Sequence, residues 1–151
     1  MGKIVCILLI LIAMRANAQE LSCKNGVYYN QKGNPFDGKF IAYHENGLLK
    51  TMCTFDQGIP QGKIICYHEN GEIALLGNFK DGRKEGTWMQ WNAYGEKLTQ
   101  IGFENGKRDG RWLLWDESGN LRYDYSYASG VKNDTWKMWD KESMLVEVRN
   151  H

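Results

Sequence analysis

The 151-residue chain carries 19 Lys and Arg against 18 Asp and Glu, a formal charge of +1, and 42% of its residues are hydrophobic. So even a balance lacks the basic excess on which nucleic-acid binding depends. Its 17 glycines and only two prolines, placed at regular intervals, direct attention to periodicity before anything else.

Residues 1–18 are predicted to be an export signal. Lys3 supplies a short positive start, 4–14 is an apolar run, and Ala16-Asn17-Ala18 is a small-x-small cleavage pattern. Eleven apolar residues make only about 16 Å of helix against the roughly 30 Å of a bilayer core, so the run is too short for a membrane anchor. The mature chain is expected to begin at Gln19 and to be secreted or periplasmic. Loss of Lys3 and Arg15 leaves 17 basic and 18 acidic residues, a formal charge of −1. Three cysteines remain, Cys23, Cys53 and Cys66, and an odd count in an oxidising compartment allows at most one internal bridge. Cys53 and Cys66 flank one predicted turn and are the candidate pair, subject to the geometry that many cross-strand pairs fail to meet.

Residues 36–151 read as a repeat array with a period of 24, and residues 19–35 as a lead-in that contains a shorter, irregular version of the repeating unit. Trp88, Trp112 and Trp136 form one column at that period. Tyr43, Tyr67, Trp91, Trp115 and Trp139 form a second, and Phe55, Phe79, Phe103 and Tyr127 a third. Glycines keep the same beat, most clearly Gly38, Gly62, Gly86 and Gly110. In the unit from Gly86 to Asp109, Thr87 to Trp91 is a run of strand formers, Asn92 to Gly95 a turn, Lys97 to Phe103 a returning strand, and Glu104-Asn105-Gly106 the next turn. Each unit is thus predicted to be one β-hairpin. Pro35 and Pro60 both fall between predicted strands, where a missing N–H breaks no ladder. Trp88 and Trp91 are three apart and should point to opposite faces, so both faces of the sheet carry aromatics. The predicted fold is all-β: an elongated, single-layer antiparallel meander of about ten strands, ending in atypical units.

The five turns at 44–48, 68–72, 92–96, 116–120 and 140–144 carry a summed charge of −7, whereas the turns on the opposite edge are about neutral. That makes one long edge acidic, either a solvated rim or a docking edge for a basic partner. Trp91, Trp115 and Trp139, with Met89 and Leu113, are either packing ladders or the contact surface of a partner. The repeated Tyr-His-Glu-Asn-Gly at 43–47 and 67–71 invites a metal reading. Equivalent positions in successive hairpins lie about 10 Å apart at ~4.8 Å per strand, too far for His44 and His68 to share a zinc. No serine has a nucleophile-elbow context and no cysteine an evident histidine partner, so neither an enzyme nor a cofactor is predicted.

The unit Gly86-Thr87-Trp88-Met89-Gln90-Trp91, continued by Gly95, Phe103 and Gly106, resembles the variant form of the MORN repeat over roughly residues 36–142. The arrangement is similar to that of bacterial YwqK-type antitoxin components. The resemblance implies a hairpin sheet and a binding role without a catalytic residue, with protein scaffolds and membrane lipids as the associations known for such arrays. An export signal departs from the picture of an antitoxin that neutralises a cytoplasmic toxin. The expected function is a non-catalytic protein-binding module, immunity-like in its most specific form. The alternative is an envelope-associated structural or lipid-binding scaffold.

Overall fold

A computed structural model describes residues 20–150, and the predicted export segment 1–18 lies outside them. The described chain is all-β. A small hairpin, β1 (Ser22–Lys24) and β2 (Val27–Tyr29), precedes β3 (Gly38–Tyr43), β4 (Leu49–Asp56), β5 (Ile59–Tyr67), β6 (Ile73–Lys80), β7 (Arg83–Trp91), β8 (Lys97–Glu104), β9 (Lys107–Trp115), β10 (Leu121–Ala128), β11 (Val131–Trp139) and β12 (Leu145–Asn150). Strands β3 to β12 form one ten-stranded antiparallel sheet in strict sequence order, the predicted meander. The lead-in hairpin is a separate two-stranded sheet and does not extend it.

Two kinds of turn alternate. The return from the second strand of one unit to the first strand of the next is a two-residue turn with both φ positive, as at Asn105 (49°) and Gly106 (79°). Such turns match the right-handed twist of paired strands, which accounts for the Asp-Gly, Asn-Gly and Ser-Gly pairs at this place. The other edge carries five-residue turns, each closed by an N–H bond from its fourth residue to the carbonyl of its first, such as Gly71 to His68 at 2.9 Å. In the last of these Ser143 replaces the glycine and still adopts φ 61°.

Each repeat also contains a bulge. Leu76 pairs with Met89 and Asn78 with Glu85, so Gly77 alone faces the three residues from Gly86 to Trp88. Gly86 has φ 68°, and Gly62 and Gly110, which recur at the same place, have 69° each. A side chain there would meet open space, so the requirement is conformational: the extra residues are accommodated by a left-handed backbone.

Register sorts the side chains onto two faces. On one, here the Trp88 face, rings form a zigzag in which Phe79 meets Trp88 at 4.9 Å between centroids. From there Trp88 meets Phe103 at 6.3 Å, Phe103 meets Trp112 at 5.4 Å, Trp112 meets Tyr127 at 5.2 Å, and Tyr127 meets Trp136 at 5.3 Å. The contacts are edge-on or tilted, the arrangement the ring quadrupole favours. Each tryptophan is also anchored by its indole N–H, which donates to Asn78 O, Gly102 O and Ser126 O respectively. Toward the N-terminal end the same face is a buried cluster of Phe36, Phe40, Ala42, Cys53, Phe55 and Ile64, with Tyr28 of the lead-in hairpin set 4.9 Å from Phe55. That hairpin is tied on by main-chain bonds from Tyr28 N to Gly58 O at 2.8 Å and from Phe36 N to Tyr28 O at 2.9 Å.

The candidate Cys53–Cys66 bridge is not formed in the structure. Cys66 lies across from Thr51 instead, whose hydroxyl is 3.7 Å from its sulfur, and Cys53 falls in the bulge, where pairing resumes only at Thr54 and Gln61.

Candidate functional site: the open face and its opposite

On the other face, here the Trp91 face, the register builds one straight row across the sheet. Ile41, Met52, Ile65, Leu76 and Met89 are successive cross-strand partners, and the row continues through Gln100 to Leu113. All are half-buried, with no second layer over them among the described residues. Beside this row, Trp91, Trp115 and Trp139 each end the first strand of a unit, paired with Lys97, Leu121 and Leu145. All three are half-buried too. Unlike the tryptophans of the Trp88 face, they make no ring-to-ring contact among the described residues. The Lys97 ammonium sits 5.5 Å from the Trp115 ring centre.

The repeated Tyr-His-Glu-Asn-Gly has a structural role. His44 Nε2 donates to Tyr67 O at 2.9 Å, and His68 Nε2 to Trp91 O at 2.8 Å. Each histidine thereby fastens its five-residue turn to the strand of the following unit. Two residues on, Asn46 and Asn70 donate to Glu69 O and Ala93 O in the next turn. Later units have Asn92, Asp116 and Asp140 at the histidine position, and these accept N–H bonds within their own turns. A third link runs along the two-residue-turn edge. Asp37, Gln61, Glu85 and Asp109, one per unit, accept the N–H of Gln57, Asp81, Asn105 and Ser129, the residues at positive φ in the next turn.

The sequence reading missed one column altogether. Lys84, Arg108 and Lys132 recur at the 24-residue period, each on the strand just past a two-residue turn and on the Trp88 face. Lys84 Nζ lies 4.3 Å from the Trp88 ring centre and 5.0 Å from that of Phe103. Arg108 Cζ lies 4.8 Å from Trp112 and 5.1 Å from Tyr127, and Lys132 Nζ 4.1 Å from Trp136. Arg108 also donates from Nη1 to Tyr127 Oη at 2.9 Å. Burial pushes the Lys84 ammonium below its ordinary pKa. The period was in the sequence, but the column is Phe36 and Pro60 in the first two units, so its charge emerges only from β7 onward.

The cleft lined by Tyr125, Trp136, Lys137, Met138, Glu147 and Arg149 holds about 150 Å³. Pockets that enclose a drug-sized ligand run from about 300 to 1,000 Å³. Among the described residues no three His, Cys, Asp or Glu side chains gather as metal ligands. What the molecule offers instead is extended surface.

The MORN repeat variant model matches residues 60–81 and 108–129. Each matched stretch is one structural unit, β5 with β6 and β9 with β10, and the two begin two 24-residue periods apart. The hairpin between them, β7 with β8, has the same bulge and the same two-residue turn, and it shares its indole anchor with β9. MORN repeats are generally protein- or membrane-binding modules and not catalysts. No curated protein matches the chain.

Proposed function

We propose that this chain is an exported, non-catalytic module that binds a protein partner on its Trp91 face, in an immunity or antitoxin-like role. The observation that carries the reading is the row from Ile41 to Leu113: cross-strand partners in unbroken register, apolar but for Gln100, half-exposed and flanked by Trp91 and Trp115. A soluble surface seldom keeps so long a contiguous apolar strip without a partner to cover it. Tryptophans at its margin are the residue type that contributes most where interfaces are tightest. Export follows from residues 1–18, and an exported immunity module implies a partner that acts outside the cytoplasm.

The test is capture from native envelope extract, with the retained material identified by mass spectrometry. One stoichiometric protein is expected, and Trp91→Ala with Trp115→Ala should weaken its binding by about 2 kcal/mol or more, near 30-fold, without loss of fold. Retention of lipid alone, or equal retention by the double variant, overturns the proposal.

A further inference from the structure

The cation column on the Trp88 face needs a different explanation, independent of the Trp91 face. Among the described residues Lys84, Arg108 and Lys132 have no carboxylate within ion-pair distance, whereas Arg111, Arg122, Lys141 and Arg149 all do. The neighbouring carboxylates, Glu85 and Asp109, point to the other face and are occupied by turn N–H groups. The three cations therefore form a line of unneutralised positive charge along the long axis, one per hairpin, about 10 Å apart at two strand spacings. Lying over the rings, they cover the flat aromatic surfaces that a stacking ligand would need. The strip is suited to anions.

An acidic edge runs across the same hairpins of this same molecule. The five-residue-turn edge presents Glu69, Glu96 and Glu117 on three successive hairpins, all exposed and none in an ion pair among the described residues. Glu69 and Glu117 hold the second place of their turns and Glu96 the fifth, so every one of the three hairpins offers an exposed carboxylate within its turn.

We propose that a second copy of this chain docks its acidic five-residue-turn edge along the Lys84–Arg108–Lys132 strip, with the long axes aligned so that the acidic turns of successive hairpins lie over the line of cations. Copies then overlap like roof tiles, each one's acidic edge resting on the next one's cationic strip. Because the two patches are different surfaces, the contact is heterologous and adds copies in a row rather than closing as a two-fold pair. The desolvated Lys84 ammonium gains the most from an incoming carboxylate.

The experiment is sedimentation velocity on the chain purified in the form the cell delivers. It is run at about 0.01 M salt, where charges act over about 30 Å, and at about 1 M, where they act over about 3 Å. The sedimentation coefficient is expected to climb with protein concentration in low salt and to return to the monomer value in high salt. K84E/R108E/K132E and E69K/E96K/E117K should each stay monomeric alone and associate when mixed, and the chain carrying all six changes should associate again. Circular dichroism establishes that each variant is folded. For strip variants that fail to fold, K84Q/R108Q/K132Q, which removes charge without reversing it, is the substitute and should be monomeric. A monomer at every concentration in low salt overturns the proposal. So does association indifferent to salt or to the swaps. Strip-dependent binding of poly-glutamate without self-association also overturns it, and assigns the strip to an acidic polypeptide of another kind.

Discussion

Gly102 is the residue least able to change. A β-carbon added there would lie 1.9 Å from the carbonyl oxygen of Asp109, a main-chain atom that moves only if the strand moves. Gly102→Ala is expected to destabilise the chain by about 3 kcal/mol or to prevent folding, measured by urea unfolding. At Gly110 there is space, and an alanine would suffer only the left-handed backbone at φ 69°, so the cost should be lower. Asp116 supplies a pH test. The Asn120 N–H above all, with Arg122 and the Ser118 N–H, holds its carboxyl below the ordinary carboxylate range. A depressed folded pKa gives stability that is present above the unfolded value, about 3.9, and lost as pH falls through the folded one. Asp116→Asn should therefore flatten the loss of stability below about pH 4, read from urea midpoints across that range. Burial pushes the Cys53 thiol up to about 11, so at neutral pH alkylating reagents should label it only when the chain unfolds.

At the scale of the element, the hairpin is legible in the sequence because its two turns, its strands and its aromatic columns all repeat. Turn residues announce themselves by type, and alternation along Trp88 to Trp91 gave the opposite faces that the register displays. What did not read was the polar linkage between hairpins. That His44 and His68 reach the next unit's carbonyl depends on bringing together residues 23 apart, which no local pattern encodes. The same holds for Asp37, Gln61, Glu85 and Asp109, whose acceptor role appears only once the next turn is laid beside them. The Cys53–Cys66 pairing failed on register: with Cys66 opposite Thr51, the two cysteines stand two residues out of step across the strands, an offset that flanking one turn does not reveal. Replacement isolates these links. Asp109→Ala should cost about 1 kcal/mol in unfolding free energy by leaving the Ser129 N–H without its acceptor, whereas Asp109→Asn, which keeps one carboxamide oxygen, should cost less.

For the whole molecule, stability is close to a sum over neighbours, since every hydrogen-bonded neighbour in the ten-stranded sheet is also a sequence neighbour. Position along the array then decides the effect of a given change. Trp88 is 4% exposed and touches rings on both sides. Trp88→Ala should cost about 3–5 kcal/mol and uncouple the two halves. Amide exchange should then be slowest from β5 to β8 and fastest in β12, where Leu145, Val146 and Val148 are half exposed. The strand order has a second consequence, for how such a chain changes length. Excising or duplicating 24 consecutive residues creates one new junction of the same kind as those already there, because nothing among the described residues returns across the sheet to close a ring or seal a second layer. The molecule is a ruler graduated in hairpins, and its reach can be lengthened or shortened a notch at a time without redesigning the remainder.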